Sequence, residues 1–213
     1  MTIAPCVVGI VTNMALIVIG MLVFALSHSL TADPKVKSWI QQRMGERAYQ
    51  GWYRFLYNLV SVVVLAPIML HIWLSGKVIY SVPAEIETVF YVLQLIGSIG
   101  LVVSLLQIDV LRFAGIRQII AYFRGDPLPL PPEKLQTGGL YRLVRHPLYL
   151  FSLMSLWFIS PMTDTMLIFN IAATLYFVFG SLIEERRMLR YFGDEYRAYQ
   201  AQVAWLIPFL RLK

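Results

Sequence analysis

Hydrophobic residues fall along this chain in long unbroken blocks, without the 3.6-residue or two-residue rhythm of an element half exposed to water. Five blocks stand out, at residues 7–30, 55–74, 89–111, 148–162 and 166–183. Three of them reach the roughly 20 residues that a helix needs to cross about 30 Å of hydrocarbon. The fourth is shorter, and only Thr163, Asp164 and Thr165 separate it from the fifth, so this pair predicts a tight helical hairpin. No strand pattern appears anywhere. The expectation is an all-α integral membrane protein with about five transmembrane helices, a C-terminal helical hairpin and cytoplasmic amphipathic helices. No Lys or Arg precedes the first block, and it is longer than the apolar core of a secretion signal, so it is expected to be retained as a helix.

The polar remainder lies in three pieces, residues 31–54, 112–147 and 184–213, with no repeat and no low-complexity tail. A single domain over residues 1–213 is expected. In "DPKVKSWIQQRMGERAYQGWYR", Val36, Trp39, Ile40 and Met44 recur at helical spacing, predicting a short amphipathic helix at headgroup level that starts at Pro34. "GDPLPLPPEKLQTGG" concentrates Pro127, Pro129, Pro131 and Pro132 with Gly125, Gly138 and Gly139, which argues against regular structure. That stretch is either a stiff lid or a linker. "EERRMLRYFGDEYRAYQAQVAWLIPF" runs on from the fifth helix, with Gly193 stopping or kinking it and Asp194 capping a second short helix.

Composition agrees with the pattern: 58% of residues are hydrophobic, 14% are charged, and the mean hydropathy is +0.66. A formal net charge of +6 is compatible with nucleic-acid binding, but its placement points elsewhere. In a five-helix arrangement every Lys and Arg except Lys77 falls on one side. By the positive-inside rule that side is cytoplasmic, the N-terminus is outside and the C-terminus inside, as expected of a bacterial inner-membrane protein with no nucleic-acid partner. Cys6 is the sole cysteine, which excludes an internal disulfide and a multi-cysteine metal cluster and leaves it as apolar filler. No metal site is expected. Trp39, Trp52, Trp73, Tyr80 and Trp205 read as interface anchors.

Chemistry-bearing residues cluster in two places. In "TGGLYRLVRHPLYL", Pro147 suits the first turn of a helix and pushes His146 out of helical geometry, to or beside the N-cap. A helix N-terminus beside Arg142, Arg145 and His146 is a site for a carboxylate or phosphate. Alternatively the arginines bind lipid headgroups or simply mark topology. The second place is Glu184–Glu185 at the end of helix five, where acids oppose the helix dipole. Either they pair with Arg187 and Arg190, or one holds the cationic part of a ligand whose anionic part rests at His146. The hairpin lets the two places converge, so the ligand would bear a carboxylate and an ammonium or sulfonium. Asp109 and Arg112 read as an i, i+3 ion pair, Gly97 and Gly100 as close-packing positions, and Tyr196 and Tyr199 as packing or cofactor-edge residues.

"GGLYRLVRHPLYL", "EERRMLRYFGDEYRAYQ" and "IPF" resemble the C-terminal half of the isoprenylcysteine carboxyl methyltransferase superfamily over residues 133–208, a cofactor-binding half. The pattern shared there is G-x-Y-x-x-x-R-H-P-x-Y, an acidic pair, F-G-x-x-Y and a late Pro. "HSLTADPKVKSWIQQRMGERAYQGWYRFLYNLVS" is similar to the nurim and NnrU-like branch, which includes bacterial methanethiol S-methyltransferases. The resemblance implies S-adenosylmethionine as cofactor. Tyr141, His146, Pro147, Leu148 and Tyr149 would contact it, with Arg145 beside them, Leu135 and Gln136 lining it and Glu184 holding its amino group. Gly180 stands where the prenylcysteine enzymes have an arginine paired with the substrate carboxylate. A buried carboxylate without a cation is costly, so the expected acceptor is a small or lipophilic neutral group, foremost a thiol, reached within membrane lipid. No catalytic base is assigned. The branch also includes a haem-dependent isomerase and non-catalytic nurim-like proteins. His28, near the end of the first block, is accordingly an interhelical hydrogen-bonding residue, a substrate-side group or a haem ligand.

Overall fold

The computed structural model describes the backbone of residues 3–210 and the side chains of residues 11–210; Cys6, Arg211 and Lys213 lie outside the described side chains. Its elements are α1 (Ile3–Ala32), α2 (Pro34–Met44), α3 (Glu46–Ser75), β1 (Val78–Tyr80), α4 (Ala84–Leu106), α5 (Val110–Phe113), α6 (Ile116–Arg124), a 3-10 turn (Gly139–Arg142), α7 (Pro147–Trp157), β2 (Met162–Thr163), α8 (Asp164–Phe192) and α9 (Asp194–Gln202). Among the described residues four helices are long and apolar enough to cross a membrane, over Val11–Ala32, Glu46–Ser75, Ala84–Leu106 and Asp164–Phe192. Their outward faces present Leu26, Val62, Leu74 and Leu175, side chains that water would expel and hydrocarbon accepts. The chain is a mostly helical integral membrane protein.

The fourth apolar block is helical for only 11 residues, about 16 Å of rise. It ends at Trp157, ahead of Pro161, whose missing N–H cannot continue a helix. Residues 158–163 connect it to α8, and Asp164 belongs to that helix. The absence of any strand is corrected as well: β1 and β2 pair antiparallel. Asp164 fastens the ladder, donating its backbone N–H to the Lys77 carbonyl at 2.9 Å and accepting the Lys77 N–H at 2.8 Å.

The chain divides into two compact units, Met1–Gly76 with Asp109–Glu133, and Lys77–Ile108 with Lys134–Lys213. In the first, Asp33 caps α2 by accepting from Lys35 N–H at 2.8 Å, and Pro34 takes the first helical position as its chemistry demands. No residue of α2 is buried, and Trp39 is exposed. The third apolar block stops being helical at Leu106, earlier than its composition suggests. Asp109 therefore caps α5, accepting from Arg112 N–H at 3.0 Å, and forms its ion pair with Arg117 at 2.6 Å. Arg112 pairs with Glu133 at 2.6 Å, so the expected Asp109–Arg112 pair is replaced by two others.

The second unit contains the segments resembling a methyltransferase half, together with α4. Gly97 and Gly100 lie buried on the face of α4 that meets α7. A Cβ at Gly100 would stand 2.3 Å from the Phe151 ring, and one at Gly97 would stand 2.7 Å from the Ser155 backbone nitrogen. Backbones approach this closely only without side chains between them. Asn170 of α8 donates to the Leu156 carbonyl at 2.7 Å, and Trp157 donates to the Thr174 hydroxyl at 3.0 Å, holding α7 to α8. The α8 helix ends at Gly193, whose φ of 56° suits a residue without Cβ. Asp194 begins α9 and reaches Arg197 at 3.0 Å, while Gly193 occupies the cap position that had been expected of Asp194.

Replacing Gly100 by Leu is expected to lower stability by about 1–3 kcal/mol or more, because Phe151 must move. Gly180→Ala, where a Cβ would meet nothing within 4 Å, should leave stability unchanged or slightly raised. Thermal unfolding of both purified variants in the same detergent compares them.

Candidate functional site

The site begins with backbone. After α9 the chain runs parallel to residues 144–146, with Val144 bridged to Ala204. Arg145 N–H donates to the Ala204 carbonyl at 2.8 Å and His146 N–H to the Trp205 carbonyl at 3.3 Å. This extended pairing delivers His146 to the N-cap of α7 with Pro147 at the first helical position, the local arrangement that the His-Pro sequence predicts. Among the described residues no side chain caps α7, whose N-terminal end carries the partial positive charge that favours an anion.

Glu185 is the hub. Its Oε1 accepts from Arg145 Nε at 3.0 Å, His146 Nε2 at 2.7 Å and the Tyr196 hydroxyl at 2.7 Å, and Oε2 accepts from Gln200 at 2.5 Å. Arg145, His146 and Glu185 are all buried. Burial, reinforced by the bond to Glu185, pushes the Tyr196 phenol up, so it stays a donor. The remaining donors of Arg145 close the end of α9, with Nη1 donating to the Val203 carbonyl at 2.7 Å and the Gln200 carbonyl at 3.2 Å. Its charge is thus consumed within the protein.

Glu184 points the other way. Its side chain is 43% exposed against 10% for Glu185. Tyr149 donates to Glu184 Oε2 at 2.9 Å, and His146 Nδ1 lies 3.7 Å from the same oxygen. The His146, Tyr149 and Phe177 rings stack in sequence at centroid distances of 5.4 and 5.1 Å. Tyr141 lies near enough that burial and then the Glu184 charge push its phenol up to about 12. Its carbonyl accepts from Tyr199 at 2.5 Å. Leu135 packs on the buried cluster of Tyr196, Tyr199 and Val203. Gly139, with φ of 57°, lies against the Gln107 side chain, which accepts from Leu140 N–H at 3.0 Å and holds the approach to the site.

Of the residues singled out from sequence, His146, Tyr149 and Glu184 meet through direct contacts and Arg145 joins them through Glu185, with Tyr141, Leu135 and buried Pro147 around them. Leu148, next to Pro147, and Gln136, next to Leu135, are half-buried, without a hydrogen bond to Glu185 among the described residues. Arg142 is exposed. The acidic pair does not end its helix: α8 continues to Phe192, because nothing breaks it before Gly193. Its compensating charge comes from Arg145, in place of Arg187 or Arg190. Glu185 was singled out only as half of the acidic pair, without its role as hub; Gln200 was not singled out, and Tyr196 was left between packing and cofactor contact. The available signal was the doublet itself, since adjacent helical residues point about 100° apart and take different partners. His28 lies elsewhere, with Nδ1 bonded to Ser61 at 2.9 Å and Nε2 to Tyr57, as an interhelical residue would be. A haem iron would have to displace one of these bonds. His71 lies 14 residues beyond Tyr57 on α3, about 20 Å along the axis.

Residues 16–207 match the family model described as NnrU protein. The chain belongs to the NnrU family. This NnrU chain is 30% identical over 202 residues to the methanethiol S-methyltransferase of Crocosphaera subtropica, covering 93% of itself and 76% of that relative. It is 31% identical over 216 residues to the methanethiol S-methyltransferase of Mycobacterium tuberculosis, covering 97% of itself and 81% of the relative. Nurim of Rattus norvegicus is 25% identical over 164 residues, 73% of this chain and 60% of that protein. No solved structure gives a significant match.

Glu185→Gln keeps the shape but strands the buried Arg145 charge, and it should cost about 3–5 kcal/mol. Arg197→Ala, at a pair on the exposed surface, should cost nothing measurable. Thermal unfolding and the rate of tryptic cleavage in the segment after Gly193 report the two.

Proposed function

We propose that this chain is an S-adenosylmethionine-dependent membrane methyltransferase of the isoprenylcysteine carboxyl methyltransferase type, acting on a small lipophilic thiol. Family membership and the names of its relatives support methyl transfer to a thiol. The observation that carries the reading to this site is the placement of Glu184. It is a half-exposed carboxylate at the end of the apolar stretch of α8, beside the start of α7 and flanked by stacked rings.

The residues present fit the cofactor. Glu184 Oε2 is engaged by Tyr149, leaving Oε1 for an ammonium. The N-terminal end of α7, which opens at Pro147 and Leu148, suits a carboxylate. His146, Pro147, Tyr149 and Tyr141 line the space between, with Leu135 and Gln136 along its edge. Arg145 acts from behind, by fixing His146 and the end of α9. Bound there, S-adenosylmethionine supplies a methyl carbon activated by an adjacent sulfonium charge.

The chain's own part is positioning and exclusion of water. Gly180 lies one turn before Glu184 and leaves open space where a Cβ would meet nothing. That space admits an acceptor and offers no cation to a carboxylate, which favours a neutral thiol over a prenylcysteine carboxylate. Residues 147–163 complete a fifth crossing, in our reading, by adding the extended 158–163 connection to α7. The basic loops then face the cytoplasm of a bacterial inner membrane, with the N-terminus outside.

Transfer of labelled methyl from S-adenosylmethionine to a panel of thiols, prenylcysteines and lipid amines tests this function. Thiols should be methylated and prenylcysteine carboxyl groups should not. Glu184→Gln should weaken cofactor binding at least tenfold by calorimetry, on the order of 2 kcal/mol for a lost charge pair. Undiminished affinity would remove Glu184 from the site.

A further inference from the structure

The proton in the His146–Glu185 contact can be located by elimination. Glu185 receives Arg145, Tyr196 and Gln200 as donors and stands as an ionised acceptor, so at 2.7 Å the hydrogen belongs to His146 Nε2. In a neutral imidazole the lone pair is then on Nδ1. The ring cannot readily turn to exchange the two nitrogens, because it stacks on Tyr149 at an interplanar angle of 8° and its residue is pinned through its N–H to Trp205. Nδ1 consequently faces the half-exposed Glu184 side of the site, 3.7 Å from Oε2. The titratable and charged groups around this ring are Arg145 and Tyr149 from its own segment, Glu184 and Glu185 from α8, and Tyr196 from α9.

We propose that His146 is the general base for the methyl acceptor, with Glu185 as the positioning residue that keeps Nδ1 unprotonated and aimed at the acceptor. This rests on the thiol methyltransferase reading above. A free thiol is mostly protonated at neutral pH, whereas the thiolate is the nucleophile. The S–H proton moves to Nδ1 while its electron pair remains on sulfur. That pair forms the new bond to the methyl carbon, and the carbon–sulfonium bond breaks with its electrons left on the donor sulfur as a neutral thioether. The imidazolium then has Nε2–H on Glu185 and Nδ1–H directed at Glu184, through whose exposed side the proton leaves to water. A nucleophile, a base and a carboxylate orienting that base form the arrangement that activates weak nucleophiles generally.

Two measurements decide it. Side-chain 15N NMR of donor-free wild type in detergent reads the tautomer without any turnover. The chain has three histidines, so His28→Asn and His71→Asn assign the remaining signals by elimination. The expected result is protonated Nε2 and unprotonated Nδ1 at His146, with Glu185→Gln or the milder Tyr196→Phe mixing the tautomers. In the second, methyl transfer is followed for ethanethiol, benzenethiol and nitrobenzenethiol. Without a base, the deficit should shrink as the thiol becomes acidic enough to ionise unaided. His146→Asn should lose about 100-fold or more with ethanethiol and less than about tenfold with nitrobenzenethiol. A proton on Nδ1 in the wild type, or an equal deficit for all three thiols, overturns the assignment. No transfer by wild type to any thiol would instead overturn the thiol methyltransferase function, and the base with it, whatever the tautomer.

Discussion

A carboxylate buried within an apolar helix has to be matched by donors and positive charge from elsewhere, because hydrocarbon offers neither. Glu185 imposes that requirement here, and much of the second unit is arranged to meet it. The entry to α7 supplies Arg145 and His146, and α9 supplies Tyr196 and Gln200. For α9 to supply anything, the chain must turn sharply after Phe192, which Gly193 permits. Once drawn in, α9 has carbonyls at its end that need donors, and the same Arg145 donates to two of them. One buried charge thus fixes the entry to α7, the position of α9 and the path of residues 203–205. Glu184, its neighbour in sequence, is left facing outward.

Much of this was legible from sequence, for reasons that differ by level. The long helices could be read because only continuous apolar residues satisfy hydrocarbon over so many turns. Their ends were less visible: Ile108, Val110 and Leu111 prolong the third block, yet the helix stops at Leu106. The β1–β2 ladder involves three residues and two, too few for alternation to register, and its partners are more than 80 positions apart. At the site, Pro147 made the place of His146 readable, since its ring constrains both residues locally. The division of labour between Glu184 and Glu185 was not readable. It follows from where α9 comes to rest, a long-range outcome that no local pattern encodes.

The membrane setting also explains how so polar a cluster is kept in register. Little hydrophobic force acts between helices in lipid, so α4 and α7 are joined by close contact at Gly97 and Gly100, and α7 and α8 by hydrogen bonds at Asn170 and Trp157. The β1–β2 ladder ties the segment after α7 to the residues before α4, through Asp164 and Lys77. The first unit uses the same means at Gly20, which lies against Ile68, and at Gly51, which lies against Tyr122. Small residues at contacts and a few paired polar side chains do the work that apolar burial does in water.

The clasp between Arg145 and the end of α9 bears on how the chain is made. Translation releases the α7 entry first, then α8, and only afterwards the stretch from Tyr196 to Trp205 that completes their pairing. Arg145 and Glu185 are thus both made before Tyr196, Gln200 and the carbonyls of Gln200 and Val203 that complete their pairing. Completion of the polar centre therefore waits on α9, a short helix made after both of the elements that it joins.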